Sequence, residues 1–172
     1  MEESIAIRLI EKGVNKSNGS NWADLGAGAG TFTKALASLL GSGNTIFAVD
    51  QNGSALDGIV TKTNQALVTK LKKNFIEDEL ELPLLDGVLM ANSLHYVKAK
   101  DLFLAKLREL IKPDGRIVIV EYERRSANQW VPYPIDFVSL VELMKASGFS
   151  SVEKIGEQPS SYQGTMYSAL VR

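Results

Sequence analysis

Residues 22–31 read Trp-Ala-Asp-Leu-Gly-Ala-Gly-Ala-Gly-Thr, a short apolar run that breaks into glycines at three alternate positions. Trp22, Ala23 and Leu25 suit a short buried strand, and Phe32, Leu36, Leu39 and Leu40 then recur at helical spacing until Gly41 supplies a stop. Gly26, Gly28 and Gly30 therefore fall in a strand-to-helix turn, where missing side chains let the backbone bend sharply and approach a ligand closely. A ligand-free tight turn is the alternative, but three glycines weaken local structure and need a reason.

The same alternation continues on either side. A leading helix over residues 2–12 and a connection over 13–21 precede the first strand at 22–25. Strands are expected at 45–49, 67–75, 88–91 and 116–120, with helices at about 54–64, from Asp101 as cap through Ile111, and around Phe137, Leu140, Val141 and Met144. Pro113, Asp114 and Gly115 should end the second of these helices, and Gly148 the third. The run Ile117-Val118-Ile119-Val120 needs burial on both faces, which places it in the middle of a parallel sheet. Two last strands, at 152–155 and 165–171, are joined by a segment with Pro159 and Gly164 and no helical pattern, which suits an antiparallel hairpin. These elements predict an α/β, doubly wound, Rossmann-like sheet with helices on both faces.

The 172 residues fit one domain, read here as a single unit over 1–172. A formal charge of −1 gives no overall field for a nucleic-acid backbone, and the basic cluster Lys62, Lys70, Lys72 and Lys73 is followed at once by Glu77, Asp78, Glu79 and Glu81. Nucleic acid is therefore not the expected partner. The absence of cysteine excludes a cysteine nucleophile and thiolate metal ligands, and no metal site is expected. The longest uncharged stretch, 35–49, is short of a membrane span and broken by Gly41, Ser42, Gly43 and Asn44. Glu2 and Glu3 stand where a secretory signal would be basic, which reads as cytoplasmic.

Asp50 closes the second strand, 24 residues after Gly26. A carboxylate at that strand end can accept hydrogen bonds from both hydroxyls of a ribose, although alone it would serve equally as a turn or cap. Two cofactor classes remain open at this point. A dinucleotide loop follows G-x-G-x-x-G, which would make the chain an NAD(P)-dependent oxidoreductase, but this loop is G-x-G-x-G with Asp24 just ahead of it. A pyrophosphate would be repelled by Asp24, whereas a ligand carrying an ammonium and a sulfonium would be attracted.

Asp24-Leu25-Gly26-Ala27-Gly28-Ala29-Gly30, Ala48-Val49-Asp50, Asn74-Phe75, Ala91-Asn92-Ser93-Leu94-His95 and the strand from Gly115 to Tyr122 together resemble the class I S-adenosylmethionine-dependent methyltransferases, among them the small-molecule, type 11-like members. The resemblance covers nearly the whole chain and implies a sheet order of 3-2-1-4-5-7-6 with an antiparallel final strand. It implies Gly26, Ala27, Gly28 and Gly30 beside the methionine part of the cofactor and Asp24 near its amino group. It also implies Asp50 and Gln51 at the ribose, Asn74 and Phe75 at the adenine, and Asn92 within the cofactor set. Asn74 departs from the more usual aspartate, and would accept through its amide oxygen instead.

Methyl transfer from a sulfonium is a direct displacement that rests on alignment and exclusion of water, so no conspicuous catalytic residue is required. Candidates lie after the fourth and fifth strands. His95, the lone histidine, is a candidate general base, since imidazole titrates near neutral pH; packing or capping the next helix is its alternative role. Trp130 and Tyr133, set in the proline-stiffened segment 130–134, are candidate pocket residues of a lid, or covers of a core edge. The segment Asn92-Ser93-Leu94-His95 lacks the Asn/Asp-Pro-Pro-aromatic signature that the family uses on amide and exocyclic amine nitrogens. A small-molecule acceptor is the expectation, with a non-catalytic subunit completed by a partner chain as the competing reading.

Overall fold

The structure is a computed structural model that describes residues 1–160 and 164–172. In chain order its elements are α1 (Glu3–Ile10), β1 (Asn21–Leu25), α2 (Thr31–Leu40), β2 (Thr45–Asp50), α3 (Gly53–Asp57), β3 (Leu67–Lys72), β4 (Leu85–Ala91), α4 (Lys100–Leu110), β5 (Ile111–Tyr122), α5 (Phe137–Ala146), β6 (Val152–Pro159) and β7 (Thr165–Val171). Short 3₁₀ turns occupy Glu11–Gly13 and Leu94–Tyr96.

The sheet has the order β3-β2-β1-β4-β5-β7-β6, the order that the family resemblance implies. The five strands from β3 to β5 are parallel, and β7 runs antiparallel to both β5 and β6. Strand β5 shows why its alternating Ile and Val were needed. Ile117 and Ile119 enter one apolar layer with Phe103, Leu104 and Leu107 of α4 and Leu140 and Met144 of α5. Val118 and Val120 enter the opposite layer with Ala6, Leu9 and Ile10 of α1 and Phe32, Ala35 and Leu36 of α2. Each face of the strand thus removes apolar area from water, worth about 25 cal/mol per Å².

Several boundaries differ from the sequence reading, each for a local reason. The helix expected over 54–64 stops at Asp57, because Gly58 caps it and Lys62 to Gln65 close a turn in which Gln65 N–H donates to Lys62 O. The strand expected over 67–75 ends at Lys72: Lys73 N–H turns back to Leu71 O, and Asn74 Oδ1 accepts from Ile76 N–H in an Asx turn. Strand β3 tolerates its lysines because it is a sheet edge with half of its positions in water.

Asp101 does not cap α4; Ala99 holds that position and Asp101 sits in the first turn, where its charge faces the positive helix end. That helix ends at Leu110, and Pro113, Asp114 and Gly115 lie in a bulge of β5, between the pairs Leu85 with Ile111 and Gly87 with Arg116. Strand β4 starts at Leu85, ahead of its expected first residue Val88. Strand β6 extends to Pro159 rather than stopping at Ile155, and part of the hairpin connection, 161–163, lies outside the described residues.

Helix α1 packs its apolar side on α2 and β6, so the leading segment is chiefly core. Among the described residues no helix is long and apolar enough to cross a membrane.

Candidate active site

The carboxyl ends of β1, β2 and β4 meet beneath the glycine turn, the place where a doubly wound sheet leaves a crevice. Gly26 follows β1 with φ +84°, and a Cβ built there would stand 2.5 Å from Ser93 Cβ. Ser93 is fixed by donating its hydroxyl to Leu25 O at 2.6 Å, so the turn after β4 is locked against the turn after β1. Gly28 also has positive φ, +51°, but open space lies on its missing side-chain face. The two glycines therefore serve different ends: the first permits close packing of protein, and the second leaves room beside the backbone.

Two small cavities flank this turn. One, of about 240 Å³, is lined by Asp24, Gly26, Ala27, Gly28, Phe32 and Asn92 among others, with Met1 the one residue of the leading segment that reaches it. The other, of about 180 Å³, is lined by Gly26, Asp50, Gln51, Asn74, Phe75 and Asn92 among others. Most of the cofactor residues expected from the sequence thus converge on one crevice. Gly30 is set apart from both cavities; its missing side chain accommodates Ile59.

Asp24 is buried and accepts a 2.6 Å hydrogen bond from the Thr33 hydroxyl. Burial pushes its carboxyl up to about 7; the Thr33 bond opposes that rise and the nearby Asp50 charge adds to it. A ligand ammonium in the adjoining cavity would supply the missing counter-charge. Asp50 accepts from Gly28 N–H and from Asn52 N–H, each at 2.8 Å, so its carboxylate also ties the glycine turn to the start of α3. Asn74 Oδ1 is already engaged by Ile76 N–H, and Phe75 packs edge-on against Phe103 at 5.8 Å.

Asn92 is the junction. It has φ +54°, alone among the described non-glycine residues in the left-handed region, and it lines both small cavities as well as a third. Its Oδ1 is buried with no hydrogen-bond partner, an expense of about 1–3 kcal/mol that a bound donor group would relieve.

The third cavity is a cleft of about 960 Å³, walled by His95, Tyr96, Tyr122, Arg124, Trp130 and neighbouring residues. His95 is buried, and its Nδ1 lies 2.8 Å from Glu121 Oε2 while its backbone N–H donates to Glu121 Oε1 at 3.1 Å. Glu121 is itself buried at the end of β5. Sequence reasoning found His95 but not this partner. The signal was the single carboxylate closing the apolar run of β5, next to the strand that leads to His95.

Trp130 lines the cleft and is 70% exposed. Tyr133 is outside the cleft's lining: its N–H donates to His95 O at 3.0 Å, and its carbonyl accepts from Lys100 Nζ at 2.8 Å. The segment 130–134 therefore contributes two lining residues, Trp130 and Val131, and one brace, Tyr133. Arg125 pairs with Asp136, the cap of α5, whose carboxyl is held down at about 2 by its Ser139 hydrogen bonds and by Arg125. Among the described residues no group of His, Asp and Glu is arranged to hold a metal ion.

A family model described as a methyltransferase domain matches residues 23–117, more than half of the sequence. The chain belongs to the methyltransferase domain family. The match runs from β1 into β5 and so contains every lining residue of the two small cavities except Met1, while α5 and the closing hairpin lie beyond it.

Among curated relatives, the ubiquinone/menaquinone biosynthesis C-methyltransferase UbiE of Burkholderia mallei is 30% identical over 115 residues, 64% of this chain and 46% of that protein. The chain thus spans about half the length of the curated relatives it matches. Among solved structures, a SAM-dependent methyltransferase from Aquifex aeolicus superimposes with a TM-score of 0.68 at 17% identity, covering 100% of each chain. Human N-acetylserotonin methyltransferase in complex with SAM gives 0.70 at 21% identity over 98% of this chain and 52% of that one. These two likenesses establish the methyltransferase fold. Membership of the family sets aside the nicotinamide alternative, in keeping with the acidic Asp24 where a pyrophosphate would need neutral backbone.

Proposed function

We propose that this methyltransferase-family chain binds S-adenosylmethionine across the ends of β1 and β2 and methylates a small molecule held in the cleft beyond Asn92. The observation that carries the proposal is the pairing of buried Asp24 with strand-end Asp50 on either side of an open glycine turn. When bound, S-adenosylmethionine supplies an electrophilic methyl group on a sulfonium centre.

The chain's own residues then have separable tasks. Asp24 meets the donor's ammonium, with Gly26, Ala27, Gly28 and Gly30 shaping the turn around it. Asp50 and Gln51 accept from the ribose, and Asn74 and Phe75 bound the adenine side. Each Asp50 oxygen holds one backbone N–H and keeps a second lone pair for a ribose hydroxyl. Asn92 offers its orphaned carbonyl at the boundary between donor and acceptor spaces.

His95 takes the acceptor's proton through Nε2, because Glu121 occupies Nδ1 and fixes the ring. Trp130 forms the outer wall, and Tyr133 braces the His95 segment from behind. The setting proposed is cytoplasmic.

The test is incubation of the isolated chain with a fractionated metabolite extract and donor labelled in its methyl group. A labelled small product formed by wild type and lost with Asp50→Ala supports the reading. Product that forms only when a second chain is added would make this a cofactor-binding subunit.

A further inference from the structure

The acceptor cleft has an uncompensated charge. Glu123, on its rim, has one oxygen accepting from Phe137 N–H at 3.1 Å and the other 3.4 Å from Lys154 Nζ. Arg125 is consumed by Asp136. Arg124 is different: it is half-buried, lines the cleft, and has no carboxylate partner among the described residues.

Its setting is nonetheless fixed. Arg124 N–H donates to Tyr122 O at 2.8 Å, and Nε donates to Ser126 O at 2.8 Å, which pins the plane of the guanidinium. Among the described residues the two terminal nitrogens are then the groups left to bind. A pinned guanidinium presents parallel N–H donors whose geometry matches an oxyanion, and partial burial strengthens such a pair beyond its worth in open water. The same cleft is lined by the aromatic side chains of Tyr96 and Trp130, which suit a flat apolar body.

Resting on the methyltransferase reading above, we infer that the acceptor is a flat, largely apolar molecule bearing an oxyanion, a carboxylate or a phosphate, that pairs with Arg124. The reacting group lies toward His95 and Asn92, and the oxyanion toward the loop after β5.

The experiment titrates the full chain with 4-hydroxybenzoate, phenyl phosphate and the neutral isostere 4-hydroxybenzamide, with and without S-adenosylhomocysteine, reading tryptophan emission. Trp22 is buried in the core and Trp130 stands in the cleft, so quenching that disappears with Trp130→Phe reports the cleft. The expected result is a midpoint for at least one of the two anions about tenfold or more below that of the amide. Arg124→Gln erases the difference and Arg124→Lys keeps part of it. Which anion wins identifies carboxylate or phosphate. Equal midpoints for anion and amide, no quenching by either anion, or a preference that survives Arg124→Gln would overturn the inference. Calorimetry of S-adenosylhomocysteine on the same samples reports the donor site separately, so a failure there counts against the methyltransferase reading and not against the acceptor's charge.

Discussion

The backbone N–H of Gly28 donates to the Asp50 carboxylate across 2.8 Å, joining the turn after β1 to the end of β2. Because Asp50 also holds Asn52 N–H, one side chain sets the width of the crevice and stands at its edge. The glycine turn and the acidic strand end are thus a single device, not two motifs that happen to be neighbours.

Gly26 and Gly28 should respond differently to alanine. Gly26→Ala places a Cβ 2.5 Å from Ser93 Cβ at φ +84°, combining strain with a clash in the lock between two turns. We expect a stability loss of about 3 kcal/mol or more by urea denaturation. Gly28→Ala meets only the positive φ, with a loss of about 1 kcal/mol, yet it fills space beside the ligand. It should fold and bind S-adenosylhomocysteine poorly. Equal stability losses would contradict the division of roles.

Asp24 predicts a pH dependence of donor binding. Its carboxyl is pushed up to about 7 by burial, while the ligand's ammonium favours the ionised form. Affinity for S-adenosylhomocysteine should therefore fall as pH drops below about 7, by up to tenfold per unit, with proton release visible in calorimetry in buffers of differing ionisation heat. Asp24→Asn should remove the slope. A flat affinity between pH 6 and pH 8 in wild type would refute the role.

The same carboxyl has a consequence for stability. Its folded-state value lies above the ordinary 3.8, so the folded chain retains a proton that the unfolded chain has lost. The stabilisation is complete below 3.8 and disappears as pH rises through about 7. In the absence of ligand, Asp24→Asn is expected to raise stability above pH 7 by roughly 2–4 kcal/mol relative to wild type, measured by denaturation at pH 8. A destabilised variant at that pH would show that the Thr33 hydrogen bond outweighs desolvation.

His95 and Glu121 predict a split between binding and turnover. His95→Gln should lower kcat by about 10²–10⁴ while donor binding persists. Glu121→Gln keeps the shape but weakens the hold on Nδ1, and should reduce kcat by about tenfold or more with KM little changed. Full activity in His95→Gln would leave His95 as a packed core residue.

The sequence exposed the sheet and the donor crevice because both are written locally. Periodicity marks β5 as buried on both faces, and the glycine spacing with Asp24 and Asp50 marks the turn and the strand end. What it concealed depended on contacts between distant segments. Glu121 reads as the start of a charged loop until β5 lies beside β4, when its carboxylate arrives at His95. Tyr133 reads as an aromatic lid residue until its backbone is seen to brace His95 from outside the cleft. The short α3 and the early end of β3 were hidden for another reason: side chains of Gln65 and Asn74 close turns that compete with regular structure.

The proposed S-adenosylmethionine site rests on the β1 turn and Asp50 acting together. Titration calorimetry of wild type and Asp50→Ala with S-adenosylhomocysteine tests it directly. One site per wild-type chain is expected, with an affinity at least about tenfold weaker in Asp50→Ala. No binding by wild type, or equal binding by the two proteins, would contradict it.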